Sequence, residues 1–215
     1  KNIALKIEIG DHEVVSESLR ASDADLVIMG TNGGNAPRFD AIGDVASHVL
    51  RESKKPILFI RENRPVQKAL ASIDLSPHSA KVLESGAVLT QALNAKMESL
   101  VVIPDGTDDV SELLQTHQRQ NAKKTIGRVR ERVDAMFDQT VSSIELGFGE
   151  GVEFGDHLRQ RHIGFGPVVD TILDRVQKHD IDLLIIGARH PDHAYIGSHT
   201  LALLRRCPTN VLVVP

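Results

Sequence analysis

Two glycine-marked stretches carry the residue types most able to hold a ligand. The first runs from Gly30 through Gly33 to Gly43, and the second from Gly187 to Gly197-Ser198-His199-Thr200. Each follows an apolar run that stops at a glycine, LVIMG (26–30) or LLIIG (183–187), and each leads into a helix-like segment. Backbone N–H groups freed by glycines and by a helix start, together with the helix dipole, favour an anion, phosphate above all. Asp74 and Ser76 follow a third apolar run, ALASI (69–73). His190, Asp192, His193 and His199, with His78 as a candidate across the cleft, offer transition-metal donor types, but their spacing matches no known site and they read as solvated loop side chains. Ser198 and His199 are sequence neighbours, which defines no nucleophile–base geometry. A G-x-S-x-G elbow, a Walker A lysine and paired carboxylates are all missing, so efficient catalysis is not expected.

The elements that must position these residues form a repeat. From Gly43 and Gly197 onward two copies align without a gap, 154 residues apart: Leu50-Arg51 falls on Leu204-Arg205, and Ile57-Leu58 on Val211-Leu212. A period this long marks a duplicated domain, since solenoid repeats run to roughly 20–50 residues. Uninterrupted runs such as LVIM and LLII suit parallel strands buried on both faces. Strands alternating with helical stretches imply right-handed βαβ crossovers, with ligands beyond the carboxyl ends of the strands.

In chain order, ALKIEI (4–9) reads as a strand and 13–21 as a helix. Glu-Asn-Arg-Pro (62–65) is a polar boundary. Residues 69–74 are a strand, followed by a helix that Ser76 or Ser79 can cap, with Pro77 in its first turn. The next strand is 97–103. In the long helical stretch 108–138, Ile126, Val129, Val133, Met136 and Phe137 make a core-facing stripe. Lys123, Lys124, Arg128, Arg130 and Arg132 form a basic cluster there, read as a solvated face ahead of an anion or partner surface. SSIELGF and VEFGDHLRQRHIGF, either side of Gly149-Glu150-Gly151, both have strand character; one, around Leu158–Ile163, is the counterpart of the opening strand and the other an insertion. The expected fold is α/β: an open, parallel, five-stranded, Rossmann-like sheet, duplicated, with 1–62 the C-terminal part of a first domain. Residues 66–215 form a complete second domain, with an insertion around 107–156. The first copy holds only three strands, so its missing β-α-β is expected ahead of Lys1 or from another chain.

Composition excludes several classes. A net charge of −4 gives no reason to expect nucleic acid. No apolar run reaches the roughly 18 residues of a membrane span, and a secretory leader is not recognisable. The single cysteine, Cys207, cannot close an internal disulfide and reads as a packed thiol, so a reducing, cytoplasmic setting is expected.

Asp74 followed by LSPHS, the strand ending at Gly187, Gly197-Ser198-His199-Thr200, Gly30-Thr31-Asn32-Gly33 and Gly43 together make the chain resemble a tandem universal stress protein of the UspA family. The resemblance implies a non-catalytic stress-response protein. It also implies ATP, or a related adenine nucleotide with or without Mg2+, held in the second copy. Asp74, Ser76 and Ile103 would lie at the adenosine end, and Gly187, His190, Gly197, Ser198, His199 and Thr200 around the phosphates; Gly30, Gly33 and Gly43 are the first copy's equivalents. It further implies antiparallel pairing of the final strands, 57–60 and 211–214, within one chain or between two in a homodimer. The copies depart from the family's G-x2-G-x9-G-[S/T]. Asp44 replaces the hydroxyl residue, and two negative charges some 4 Å apart cost about 1–4 kcal/mol. His190 replaces the second glycine, and its loop is three residues short. These departures support the other reading, a nucleotide-free interaction module such as the cytoplasmic regulatory tail of a membrane transporter.

Overall fold

The two repeat copies fold into one continuous sheet. In the computed structural model, which describes residues 12–30, 42–104, 119–148, 160–188 and 196–215, the elements begin with α1 (His12–Ala21), β1 (Val27–Gly30), α2 (Asp44–Glu52) and β2 (Ile57–Ile60). They continue with β3 (Lys68–Ile73), α3 (His78–Leu93), β4 (Lys96–Ile103), α4 (Arg119–Phe148) and β5 (Arg161–Phe165). The chain closes with α5 (Val168–Lys178), β6 (Leu183–Gly187), α6 (Ser198–Arg206) and β7 (Asn210–Val214). The strand order is β1-β2-β7-β6-β3-β4-β5. The last five strands are parallel and doubly wound. The sheet nevertheless has seven described strands rather than five, because β2 joins it antiparallel to β7, with Ile57 opposite Val213 and Phe59 opposite Val211. The pairing lies within one chain and buries two apolar edges that would otherwise invite aggregation.

Two segments 154 residues apart share a local backbone course. Asp44–Glu52 and Ser198–Arg206 are both helices, 154 residues apart, and the residues before them share a conformation: Gly43 at φ −61°, ψ 158° and Gly197 at φ −61°, ψ 142°. Both helices end alike, Ser53 N–H bonding Val49 O and Cys207 N–H bonding Leu203 O.

Strand side chains alternate between two faces. One face packs Phe59, Leu70, Leu184, Ile186, Val211 and Val213 against α2, α5 and α6. The other packs Ala71, Met97, Leu183, Ile185 and Leu212 against Val82 and Leu83 of α3 and Val133 and Phe137 of α4. Cys207 is buried in the first core, and burial pushes its thiol up to about 11, consistent with a packing role. The halves differ on the α3 side. Ile185 is fully buried, whereas Ile28, its repeat counterpart, is 63% exposed on the edge strand β1.

Three expectations need correction. SSIELGF is not a strand but the last turns of α4. Val141, Ile144 and Phe148 also fit i, i+3, i+7, so the run satisfied both periods and length decided for the helix. The counterpart strand lies two or three residues later than expected, at Arg161–Phe165. Neither Ser76 nor Ser79 caps α3. Pro77 takes the N-cap position, Ser76 O accepts the Ser79 N–H, and the Ser79 hydroxyl is used elsewhere. The expected strand 4–9 lies outside the described residues.

Candidate functional site

Strand order fixes where a ligand belongs. The chain runs β3, β4, β5 to one side and returns to β6 on the other, so the order reverses between β3 and β6. The crevice beyond the carboxyl ends of these two strands is the switch point at which open α/β sheets bind ligands. Asp74 follows β3, Gly187 ends β6, and α6 begins just after Gly197. The structure thus brings Asp74, Ser76, Gly187, Gly197, Ser198, His199 and Thr200 to one end of the sheet. Ile103 ends the neighbouring strand β4, and its carbonyl accepts the Gly166 N–H at 3.1 Å.

On the β3 side, Leu75 turns the chain with φ 62°, in the left-handed region. Asp74 Oδ1 accepts the Ser76 N–H at 3.0 Å and the Ser79 hydroxyl at 2.9 Å. Partial burial pushes its carboxyl up, but the hydrogen bonds from Ser76 and Ser79 together outweigh this and hold it below the usual carboxylate range. Asp74 is therefore an ionised, oriented acceptor on the rim of the crevice.

The β6 side is built from backbone. Gly197 N–H bonds Ala188 O at 3.0 Å, and Gly197 O accepts the Leu201 N–H at 3.1 Å as the first helical bond of α6. Ser198 and His199 are exposed in the first turn of α6, which carries no acidic side chain. The dipole and the unpaired first-turn amides present partial positive charge there. Thr200 is buried, and its hydroxyl donates to Gly187 O at 2.8 Å, tying α6 to the end of β6. Gly187 faces α3: the His78 ring lies 3.0 Å from where a Cβ would sit, and His78 Nε2 is 3.2 Å from Val214 O. This packing role for Gly187 was missed in the sequence, where the residue reads as a loop glycine.

In the first half, Gly30 ends β1 and Gly43 precedes α2 in the same relation, but α2 opens on Asp44, whose carboxylate sits in the first turn. Gly33, His190, Asp192 and His193 lie outside the described residues. Among the described residues, no group of three His, Cys, Asp or Glu side chains could hold a metal ion. None of the described helices is long and apolar enough to cross a membrane.

Comparison with known proteins identifies a family. The model of the universal stress protein family matches residues 6–61 and 65–215. Universal stress protein A of Yersinia pestis is 23% identical over 146 residues, covering 68% of this chain and 89% of its own length. The Escherichia coli K12 protein of the same name is 22% identical over 146 residues, 68% of this chain and 92% of its own. Among solved structures, a functionally unknown protein from Pseudomonas aeruginosa PAO1 superposes with a TM-score of 0.69 at 19% identity, over 96% of this chain and 68% of that one. A universal stress protein from Archaeoglobus fulgidus gives 0.60 at 18% identity, over 94% of this chain and 65% of that one.

Proposed function

Since the chain belongs to the universal stress protein family, we propose that it is a non-catalytic regulatory protein of tandem organisation whose second repeat copy binds an adenine nucleotide. The observation that carries this reading is the convergence at the switch point. An oriented, ionised Asp74 stands on one wall, and the N-terminal turn of α6, with Ser198 and His199 exposed, opens on the other. Asp74 suits the hydroxyls of a ribose, because a carboxylate only accepts hydrogen bonds. The α6 amides suit the phosphates. Mg2+ with the triphosphate fits the same setting, as does a cytoplasmic location for a chain whose one thiol is buried. On this reading the bound nucleotide acts as a signal and not as a substrate.

Titration calorimetry of the chain with ATP and Mg2+ tests this. A single saturable site is expected, weakened at least tenfold by Asp74→Ala; no heat at millimolar ATP would overturn it.

A second reading, a nucleotide-free interaction module, rests on the bonds that close the crevice upon itself. Thr200 Oγ holds Gly187 O, and His78 holds Val214 O. On that reading Asp74→Ala changes nothing in the titration, and Thr200→Val lowers stability alone.

A further inference from the structure

Away from the crevice, the outer edge of β5 carries backbone groups that no other described residue pairs. β5 is the last strand of the sheet, and no described strand lies beyond it. Gln160 O accepts the Ser99 N–H at 2.9 Å, and Gly166 N–H donates to Ile103 O at 3.1 Å. Even-numbered residues thus bond β4, and by the alternation of a parallel strand the N–H and C=O of Arg161, Ile163 and Phe165 face outward. Alongside this edge runs a groove of about 570 Å³, floored by Ile163 and Phe165 and walled by Ile126, Arg130 and Val133 of α4. Ile126 and Phe165 are 39% and 42% exposed, so an open apolar patch lies in the groove beside the charged side chains Arg130, Asp134, Arg161 and Arg175.

The charges along it are not equivalent. Arg161 is committed to Asp134 at 2.7 Å and Asp138 at 2.8 Å, and Arg175 to Glu98 at 2.8 Å and 3.0 Å. Arg130 also lines the groove and, among the described residues, has no acidic partner. Ile126 and Arg130 are one helical turn apart, about 6 Å along α4. Alternate side chains of an extended strand are spaced by about 6.7 Å.

We infer that this edge is a docking site for an extended segment of a partner protein, which adds to β5 as a further strand. Alternate residues of the segment point into the groove, an apolar one over Ile126 and Phe165 and an acidic one at Arg130. Backbone pairing supplies affinity, and the two pockets supply the choice of sequence. A second copy of this chain fits less well, because a two-fold contact sets the same cationic lining against itself.

A fluorescein-labelled peptide, Val-Thr-Glu-Thr-Val, titrated with the full chain and read by anisotropy, tests the assignment. Saturable binding is expected, weakened at least tenfold by Arg130→Glu, an exposed change whose fold is checked by circular dichroism. N-methylating one alternate set of peptide nitrogens should abolish binding, and methylating the other set should leave it intact. Absence of saturable binding at millimolar chain, indifference to Arg130→Glu, or indifference to which nitrogens are methylated would each overturn the proposal. So would sedimentation showing the edge occupied by a second copy that the peptide does not displace.

Discussion

Gly187 illustrates how a single absent methyl can be set by packing. A Cβ there would sit 3.0 Å from the His78 ring and 3.5 Å from Val82, at the start of α3. The ring cannot retreat without releasing Val214 O. Gly187→Ala is therefore expected to cost about 1 kcal/mol in urea denaturation, the low end of overpacking in a well-packed core. An unchanged midpoint would show that α3 yields freely. Another residue-scale consequence concerns acid. Burial lowers the His162 imidazole, and Arg175 adds to this, while nearby Glu98 opposes it more weakly. Burial raises the Glu98 carboxyl, but the hydrogen bonds and charge of Arg175 outweigh it and leave Glu98 below the usual range. Both groups thus have folded values depressed below the unfolded ones, so their stabilisation is complete at high pH and lost on acidification. Loss starts near the unfolded histidine value of about 6.5 and continues below the glutamate value of about 4.3. His162→Gln should flatten the first decline and leave the second, as read from urea midpoints between pH 8 and about pH 3.

The antiparallel seam is the element on which the halves depend. Its side-chain latch is Asn210, which is buried. Its Oδ1 accepts the N–H groups of Arg61 at 2.8 Å and Glu62 at 3.1 Å, and its Nδ2 donates to Glu62 O at 3.3 Å. Asn210→Ala strands two partly buried N–H groups, at an expected cost of about 2 kcal/mol in urea denaturation. Val213→Lys puts an unpaired ammonium opposite Ile57 in a fully packed seam, and a loss of about 3 kcal/mol or more, or outright unfolding, is expected. Much at this scale was legible in the sequence. Short apolar runs with glycine and polar punctuation place β1 to β4 and β7 to within a residue or two, and Gly43 and Gly197 mark where α2 and α6 start, because local patterning and burial agree there. The end of α4 was not legible, because SSIELGF obeys both periods. The caps of α3 were missed because Ser79 spends its hydroxyl on Asp74, a choice that tertiary geometry makes.

For the whole molecule, one core binds the repeat copies together. Val27, Val49, Leu50 and Phe59 from the first share a buried cluster with Leu184, Leu203 and Val211 from the second. Unfolding is therefore expected as a single cooperative step. Far-UV dichroism and hydrogen exchange at β1–β2 and at β3–β6 amides should report one denaturant midpoint, and two separated midpoints would show halves that melt independently. The location of the candidate site was legible through topology, since a duplicated βαβ unit fixes where strand ends and helix starts meet. The detail was not: Thr200 bonding the Gly187 carbonyl, and His78 standing on Gly187, are contacts between residues far apart in sequence.

The seam also sets a direction. β1 and β2 run one way, and β7, β6 and β3 the other, so Gly30 and Gly187 terminate their strands at opposite poles of the sheet. A molecule seated at one pole can neither touch nor crowd one seated at the other. Crosstalk between them has to pass through the seam, where Ile57, Leu58 and Phe59 pair with Val213, Leu212 and Val211, and through the core and the Asn210 bonds shared beside it. The protein accordingly has two separate ends, Gly30 closing its strand at one and Gly187 at the other.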